Sequence, residues 1–399
     1  MGTITALQSR TSPGAAARRQ PIAVTHVITT LSTGGAETML YRLLCAMDRS
    51  RFRNSVISLA GDGTIARKIR AIGIPVRVLD IRPRRAVTGI LRLARELRRE
   101  RPNVIQTWMY HADLLGELAS LPLKGVPVAW NIRCGGLDPT IDKRSTIWIS
   151  RLCAGLSRFL PARIVSCSQS GSDVHAAAGY ARSKIHVIPN GFDTESYRPD
   201  RASRLVVRDE LGLEAGALIV GSVGRFDRAK DHATLCRTAA NVCRLQPKVH
   251  FVMCGENVTQ ANSGLTSRLE AAGIASRCHL LGRREDIPRI MAALDVFVSS
   301  SSVEGFPNAI GEAMACGVPC VATDAGDSRQ LIGDTGLIVP VRDAEALAAG
   351  VLTLIEAGAE GRMALGALAR RRIGNRFGIA GVARQYEELY QEMAAGCAE

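Results

Sequence analysis

The chain has 399 residues, more than one hydrophobic core usually organises, so two domains are expected. Apolar residues make up 46% of it, enough to fold, and no apolar run approaches the roughly 20 residues of a membrane-spanning helix. The net charge of +14 is concentrated: between Arg51 and Arg101 fourteen Lys and Arg face four Asp and Glu. That excess of ten points to an anionic partner. Phe52 is the only aromatic in the stretch, which argues against a nucleic-acid binder, where basic residues alternate with stacking rings.

Met1 to Gln20 lacks the apolar core of a secretory signal and is rich in Ser, Gly, Ala and Arg, so it reads as a disordered arm. Ile22 to Leu31 is a β-branched run ending at Ser32-Thr33-Gly34-Gly35-Ala36-Glu37, followed by a helix through Met39, Leu40, Leu43 and Leu44. The pair Gly34-Gly35 lets the backbone approach a bound group that a Cβ would block, or simply makes a tight turn. Asn54 to Leu59 and Pro75 to Leu79 read as strands around a short helix from Ile65 to Ile72. Thr88 to Arg99 places Ile90, Leu91, Ala94 and Leu97 on one side and Arg92, Arg95, Arg98 and Arg99 on the other. Such a basic face suits either solvent or an anionic lipid surface.

Val104 to Gln106 is the next strand and leads into Thr107 to Asp113. Polar and aromatic residues at a strand end belong to a cleft, and His111 is a candidate there for contact with substrate. Val128 to Ile132 ends at Arg133, a candidate for an anionic group. Arg163 to Ser168 and Ile185 to Pro189 are the last strands of this half, and the composition shift at Pro199-Asp200-Arg201 supports a boundary. The eleven cysteines are odd in number and form no metal-binding pattern, so free thiols in a reducing cytoplasm are expected.

The second half opens with the strand Leu218 to Val223, broken at Gly224 before Arg225 and Lys230. Two cations five apart beside a strand-end glycine suit a diphosphate and the charge that grows on a leaving group. Strands follow at His250 to Gly255, His279 to Gly282, Asp295 to Ser299, Val318 to Ala322 and Gly336 to Val339. After Ser299 a loop carries Glu304, Gly305 and Pro307, and a helix of small residues begins near Asn308. The amides of Asn308, Ala309 and Ile310 at that helix start suit a phosphate. Glu312, one turn on, is placed to accept hydrogen bonds from the hydroxyls of an attached ribose.

Four phrases resemble those of family 4 glycosyltransferases of the retaining GT-B type, of the kind bacteria use for surface polysaccharides. They are GGAE at Gly34 to Glu37, PNGFD at Pro189 to Asp193, GRFDRAKDHATL at Gly224 to Leu235, and EGFPNAIGE at Glu304 to Glu312. Ala325-Gly326 stands where that family commonly has Gly-Gly. The resemblance runs from about Ile22 to Met393. It implies an α/β architecture of two facing Rossmann-like domains with a cleft between them. The boundaries it suggests are residues 21–192 for an acceptor-side domain, 193–376 for a donor-binding domain, and 377–399 for a helix crossing back.

The family's roles fall on these positions as follows. The donor diphosphate meets Gly34, Gly35, Arg225, Lys230 and the Asn308 to Ile310 amides. Glu312 holds the ribose, Arg284 and Glu285 frame the base, and Glu304, Gly305 and Phe306 meet the donor sugar. Glu304 and His111 are the candidate catalytic groups. No Asp-x-Asp motif stands at a strand end, which fits the metal-independent class, without cofactor beyond the nucleoside diphosphate sugar. A glycan or lipid-linked acceptor, an anionic membrane surface and a cytoplasmic or peripheral membrane location are the further expectations, with no nucleic acid. A sugar-nucleotide epimerase or hydrolase on the same fold is the competing reading.

Overall fold

The strand runs of the first half alternate with helical stretches too long for hairpins, so each connection must cross over and the strands lie parallel. A computed structural model describes residues 20–81, 86–137, 139, 142–214 and 216–396. The expected disordered arm lies almost wholly outside them, as do Arg82, Arg84 and Arg85 of the basic stretch. The first half comprises β1 (Ile22–Thr30), α1 (Gly35–Ala46), β2 (Phe52–Ala60), α2 (Thr64–Ala71), β3 (Val76–Val78), α3 (Ala86–Glu100) and β4 (Val104–Trp108). It continues with α4 (Tyr110–Ser120), β5 (Val128–Ile132), α5 (Arg144–Leu156), β6 (Arg163–Ser166), α6 (Gln169–Ala177) and β7 (Ile185–Val187).

The second half begins with α7 (Arg201–Glu210), β8 (Leu218–Val223), α8 (His232–Leu245), β9 (Val249–Cys254), α9 (Ser263–Ala271), β10 (Cys278–Leu280), α10 (Ile287–Ala293) and β11 (Val296–Ser299). Then come α11 (Asn308–Ala315), β12 (Cys320–Thr323), α12 (Ser328–Ile332), β13 (Gly336–Val339), α13 (Ala344–Glu356), α14 (Gly358–Phe377) and α15 (Ile379–Ala395).

These strands form two parallel sheets, ordered β3-β2-β1-β4-β5-β6-β7 and β10-β9-β8-β11-β12-β13. Strand order reverses beside β1 in the first sheet and beside β8 in the second, and a ligand cleft in such sheets opens at the carboxyl ends of those strands. Register is fixed along β1, where Val24 pairs with Asn54 on one side and Val104 on the other. Both faces of the first sheet are covered, so β1, β4 and β5 are buried almost throughout, polar Thr25, His26, Gln106 and Thr107 included. On one face α1, α2 and α15 contribute to a core with Leu40, Ile65, Val382 and Tyr386. On the other, α3, α4 and α5 contribute Leu93, Leu97, Ala112 and Cys153.

The α3 helix packs differently from the expected division of its faces. Leu93 and Leu97 are buried as the periodicity requires, but Leu91 is 65% exposed and shares the outward face with the arginines. The ten described cysteines are all unpaired. No helix among the described residues is long and apolar enough to cross a membrane.

The chain passes between halves twice, and the passages touch. Phe192 pairs with Gly378, with Phe192 N–H donating to Phe377 O at 2.8 Å and Ile379 N–H to Phe192 O at 3.0 Å. Beyond that point α15 packs on α1, β1 and β4. The Tyr390 hydroxyl donates to Gln106 Oε1, and the Tyr386 hydroxyl accepts from Asn131. The C-terminal helix is thus part of the first half's core.

Candidate active site

The loop between β11 and α11 carries Glu304 because β11 ends in a run of serines that cannot continue an apolar strand. Ser300 donates to Lys230 O at 2.8 Å, and Ser301 donates to Glu304 Oε1 at 2.7 Å. Lys230 Nζ bonds the same carboxylate oxygen. Both side chains are mostly buried, 27% exposed for Lys230 and 13% for Glu304, so this is a charge pair largely shielded from solvent. Asp227 fixes the turn before it by accepting from Lys230 N–H at 3.1 Å.

Lys230, Glu304, Ser299 to Ser301, Ala309 and Ile310 line a small recess. It lies beside the ends of β8 and β11 and the start of α11. The recess therefore gathers a cation, a carboxylate, hydroxyls and a helix start, a set suited to a phosphorylated polyol.

Backbone packing sets the loop's position. Gly326 has φ +56, and a Cβ there would lie 2.5 Å from Glu304 O; one on Gly135, in the first half, would lie 1.9 Å from the same oxygen. Glycines from both sides thus clamp the Glu304 backbone while its side chain reaches Lys230.

Glu312 is placed differently from a simple ribose acceptor. It is 9% exposed, and its Oε1 accepts from Arg42 Nη2 of the first half at 2.6 Å. The guanidinium lies 5.9 Å from the Phe192 ring centre and 5.3 Å from that of Tyr197. A buried carboxylate must be paired, and here the first half supplies the partner.

Other expected positions divide between the cleft and local structure. Arg225 is 69% exposed and pairs with Asp227 at 3.1 Å, outside the recess that Lys230 lines. The Ile310 amide donates to Pro307 O at 3.2 Å, so it is already engaged. The Asn308 side chain accepts from Asn190 Nδ2 at 2.7 Å. Phe306 is 7% exposed and packs on Phe192 and Phe377, so its ring belongs to the core beneath the loop. Arg284 turns to Glu210 and Asp286, while Glu285 is exposed. Gly34 makes room for the Glu37 carboxylate, and a Cβ on Gly35 would lie 3.1 Å from the side-chain Nδ2 of Asn308. Gly35 therefore serves close packing at the junction of the halves, and Gly34 the packing of its own helix start.

His111 is the second residue of α4 and is half-buried. Burial lowers its pKa, and the charge of Lys143 lowers it further, so the imidazole is neutral at neutral pH. Met109, just before the helix, has φ +73 and ψ 153, a conformation that side-chain-bearing residues rarely adopt. The turn is held open from below: Asp113 accepts from Thr107 Oγ1 at 2.5 Å and from Asn131 N–H at 3.2 Å. Arg133 lies 5.2 Å from the Trp108 ring centre and donates to Asn190 Oδ1, while its buried Nε has no hydrogen-bond partner among the described residues.

Three functional candidates escaped the sequence reading. His232 lines the recess, is 7% exposed, stands 5.0 Å from the Phe226 ring, and keeps its Nδ1 without a partner among the described residues. Its signal was adjacency to Lys230 in the KDH phrase. Arg42 was marked only by being a lone charge between Leu40 and Leu43. Asp327 accepts from Gln169 N–H at 2.8 Å and Ser170 N–H at 2.9 Å, at the start of α6 in the opposite half. Nothing local in the sequence announces that long-range cap.

Comparison with known proteins accords with this geometry. The description "Glycosyltransferase Family 4" matches residues 33–196, and "Glycosyl transferases group 1" matches residues 217–357. EpsF of Bacillus subtilis is 27% identical over 348 residues, 85% of this chain and 88% of that one. The UDP-Gal:alpha-D-GlcNAc-diphosphoundecaprenol alpha-1,3-galactosyltransferase of Escherichia coli is 24% identical, over 82% of this chain and 84% of that one. HepE of Anabaena, solved in complex with UDP-glucose, shares the fold with a TM-score of 0.81 at 23% identity, covering 93% of this chain and all of that one. Two sheets facing across a cleft, with both halves matched to these descriptions, place the chain in family 4 of the GT-B glycosyltransferases, the glycosyl transferases group 1.

Proposed function

We propose that this glycosyltransferase is a retaining, metal-independent enzyme that moves a hexose-like sugar from a nucleoside diphosphate donor to a hydroxyl of a glycan or lipid-linked acceptor in surface-polysaccharide assembly. The observation that carries this reading is the Lys230–Glu304 pair in the recess beside the start of α11. In this scheme the Lys230 ammonium and the first amides of α11 meet the donor diphosphate, with Arg225 swinging in from its exposed position. Glu304, relieved of part of its ion pair, accepts hydrogen bonds from the sugar hydroxyls near the reacting carbon. Glu312, steadied by Arg42, accepts from the ribose.

Transfer follows a front-face course. The acceptor oxygen forms its bond to the anomeric carbon on the side from which the bond to the diphosphate oxygen breaks, and the acceptor proton passes to the departing phosphate. His111, neutral through burial, contacts donor sugar or acceptor. The negative charge growing on the leaving group is met by Lys230 and helix amides, the kind of preorganised stabilisation whose removal costs about 2.7–4 kcal/mol of barrier.

The HepE complex makes UDP-hexoses the first donors to try, and the Escherichia coli relative favours a diphospho-polyprenol acceptor. The test begins with a thermal-shift screen of nucleoside diphosphate sugars, since a ligand at about 100 times its Kd stabilises by about 2.7 kcal/mol. Turnover with the donor so identified should persist in excess EDTA and fall about 100-fold or more in Lys230→Met. Glu304→Gln should bind donor and transfer no sugar, with full activity in that variant removing the assigned role. Acceptor-free release of nucleoside diphosphate as the main reaction would favour the epimerase or hydrolase reading instead.

A further inference from the structure

The first half buries one side of α5, and among the described residues nothing covers the other. Ser150, Cys153, Ala154 and Ser157 face the core, each under 9% exposed, whereas Trp148, Leu152 and Phe159 are 69%, 50% and 80% exposed. Positions 148, 152 and 159 fall on one stripe of a helix, and the chain keeps helical bonding past the end of α5 through Phe159 N–H to Leu156 O. Arg144, Arg151 and Arg158 flank that stripe, all exposed, and Arg151 lies 5.9 Å from the Trp148 ring centre. From Lys143 to Ser172 the sequence has five Lys or Arg and no Asp or Glu.

We propose that the outward face of α5, centred on Trp148, Leu152 and Phe159, seats this protein on an anionic lipid bilayer surface. An interfacial helix inserts aromatic and aliphatic side chains at headgroup depth while arginines meet lipid phosphates. The α5 face supplies both in alternation. On the far side of the mostly buried α4, α3 carries a second set of the same kind, with exposed Val87 and Leu91 beside further arginines. Lys143, at the start of α5, is near enough to His111 for its charge to be felt there. A bilayer against α5 therefore lies beside the entrance expected to receive a lipid-linked acceptor. The inference deepens the acceptor side of the proposed function, yet vesicle binding is measured without any sugar transfer, so the two can fail separately.

The test is cosedimentation of the full chain with vesicles of phosphatidylcholine alone and of phosphatidylcholine mixed with phosphatidylglycerol. Wild type should bind the mixed vesicles and lose them in high salt. Trp148→Ser with Phe159→Ser should weaken binding at least about tenfold, as should Arg151→Gln with Arg158→Gln. All variants should keep the wild-type melting temperature and donor-induced thermal shift, because the altered side chains touch solvent. Undiminished vesicle binding in both double variants overturns the proposal. So does a wild type that ignores anionic vesicles, a wild-type dimer that the aromatic substitutions split, or binding to polyuridylate in place of vesicles.

Discussion

Arg42 and Glu312, 270 positions apart, form a buried ion pair that joins the two halves, with Nη2 2.6 Å from Oε1. Charge taken from water is tolerated only when matched, and removing one member strands the other. Arg42→Met should therefore destabilise the protein by about 3–5 kcal/mol. Combining it with Glu312→Leu should recover most of that loss, as read from urea midpoints. Glu312→Gln keeps an acceptor for the guanidinium, so its stability cost should be smaller while its donor KM rises if the ribose reading holds.

His232 offers a separate probe of the recess. A buried ring nitrogen normally finds a partner, and Nδ1 has none among the described residues although the side chain lines the recess. Burial, the larger influence on its pKa, keeps the ring neutral. A ligand phosphate or hydroxyl is the natural partner. His232→Phe, which preserves the ring packing against Phe226, should raise donor KM about tenfold or more, in line with about 1.5–3 kcal/mol for a hydrogen bond to a charged group. An unchanged KM with a normal melting temperature would show the nitrogen to be idle.

Much of this was legible because parallel sheets write themselves in apolar runs. Val128–Ile132, Leu218–Val223 and Gly336–Val339 were bounded correctly, since a strand covered on both faces alternates abruptly with polar turns. Lys230 and Glu304, each read from sequence as lying at a strand end, stand together in one recess, although their direct pairing was not foreseen. The contacts between halves were not legible. Arg42 with Glu312, Asn190 with Asn308, and Asp327 with the start of α6 depend on how two separate sheets face each other. Local periodicity carries no record of that docking. The packing of Phe306 was hidden for the same reason, since its neighbours Phe192 and Phe377 arrive from the two crossings, and so was the bond from Arg133 to Asn190.

The carboxyl of Asp113, wholly buried beneath the His111 turn, has its pKa pushed up to about 7 by burial, against the bonds from Thr107 and Asn131 that pull it down. In the unfolded chain it ionises near 4. Between about pH 4 and 7 the native state thus holds a proton that the unfolded state has released, and stability falls as pH rises through that window. The stability is fully present below the unfolded pKa and lost by the folded one. The shift of about three units corresponds to an order of 4 kcal/mol. Asp113→Asn, which keeps an acceptor for both bonds, should flatten that slope. The measurement is the urea midpoint at pH 5 and pH 7 for wild type and variant. Equal slopes would place the pH dependence elsewhere.

Met109 holds the backbone conformation that starts α4 and sets His111 one residue into it, at φ +73 and ψ 153. A side chain in that region costs about 1–3 kcal/mol, a cost the surrounding turn bears through Met109 N–H to Asn131 O at 3.0 Å and Asp113 N–H to Met109 O at 2.9 Å. Glycine adopts the same angles without strain but gives the unfolded chain more freedom, worth about 0.5–1 kcal/mol. Met109→Gly should therefore fold with stability within about 1–2 kcal/mol of wild type, since relief of strain offsets the lost side chain and the added entropy. Its turnover should suffer more than its stability. A turn that no longer enforces one geometry lets the His111 ring wander, and kcat should drop while donor KM, set mainly by the diphosphate and ribose contacts of the other half, changes less. A parallel fall in melting temperature and kcat would instead mean that the strained turn serves the fold and not the reaction.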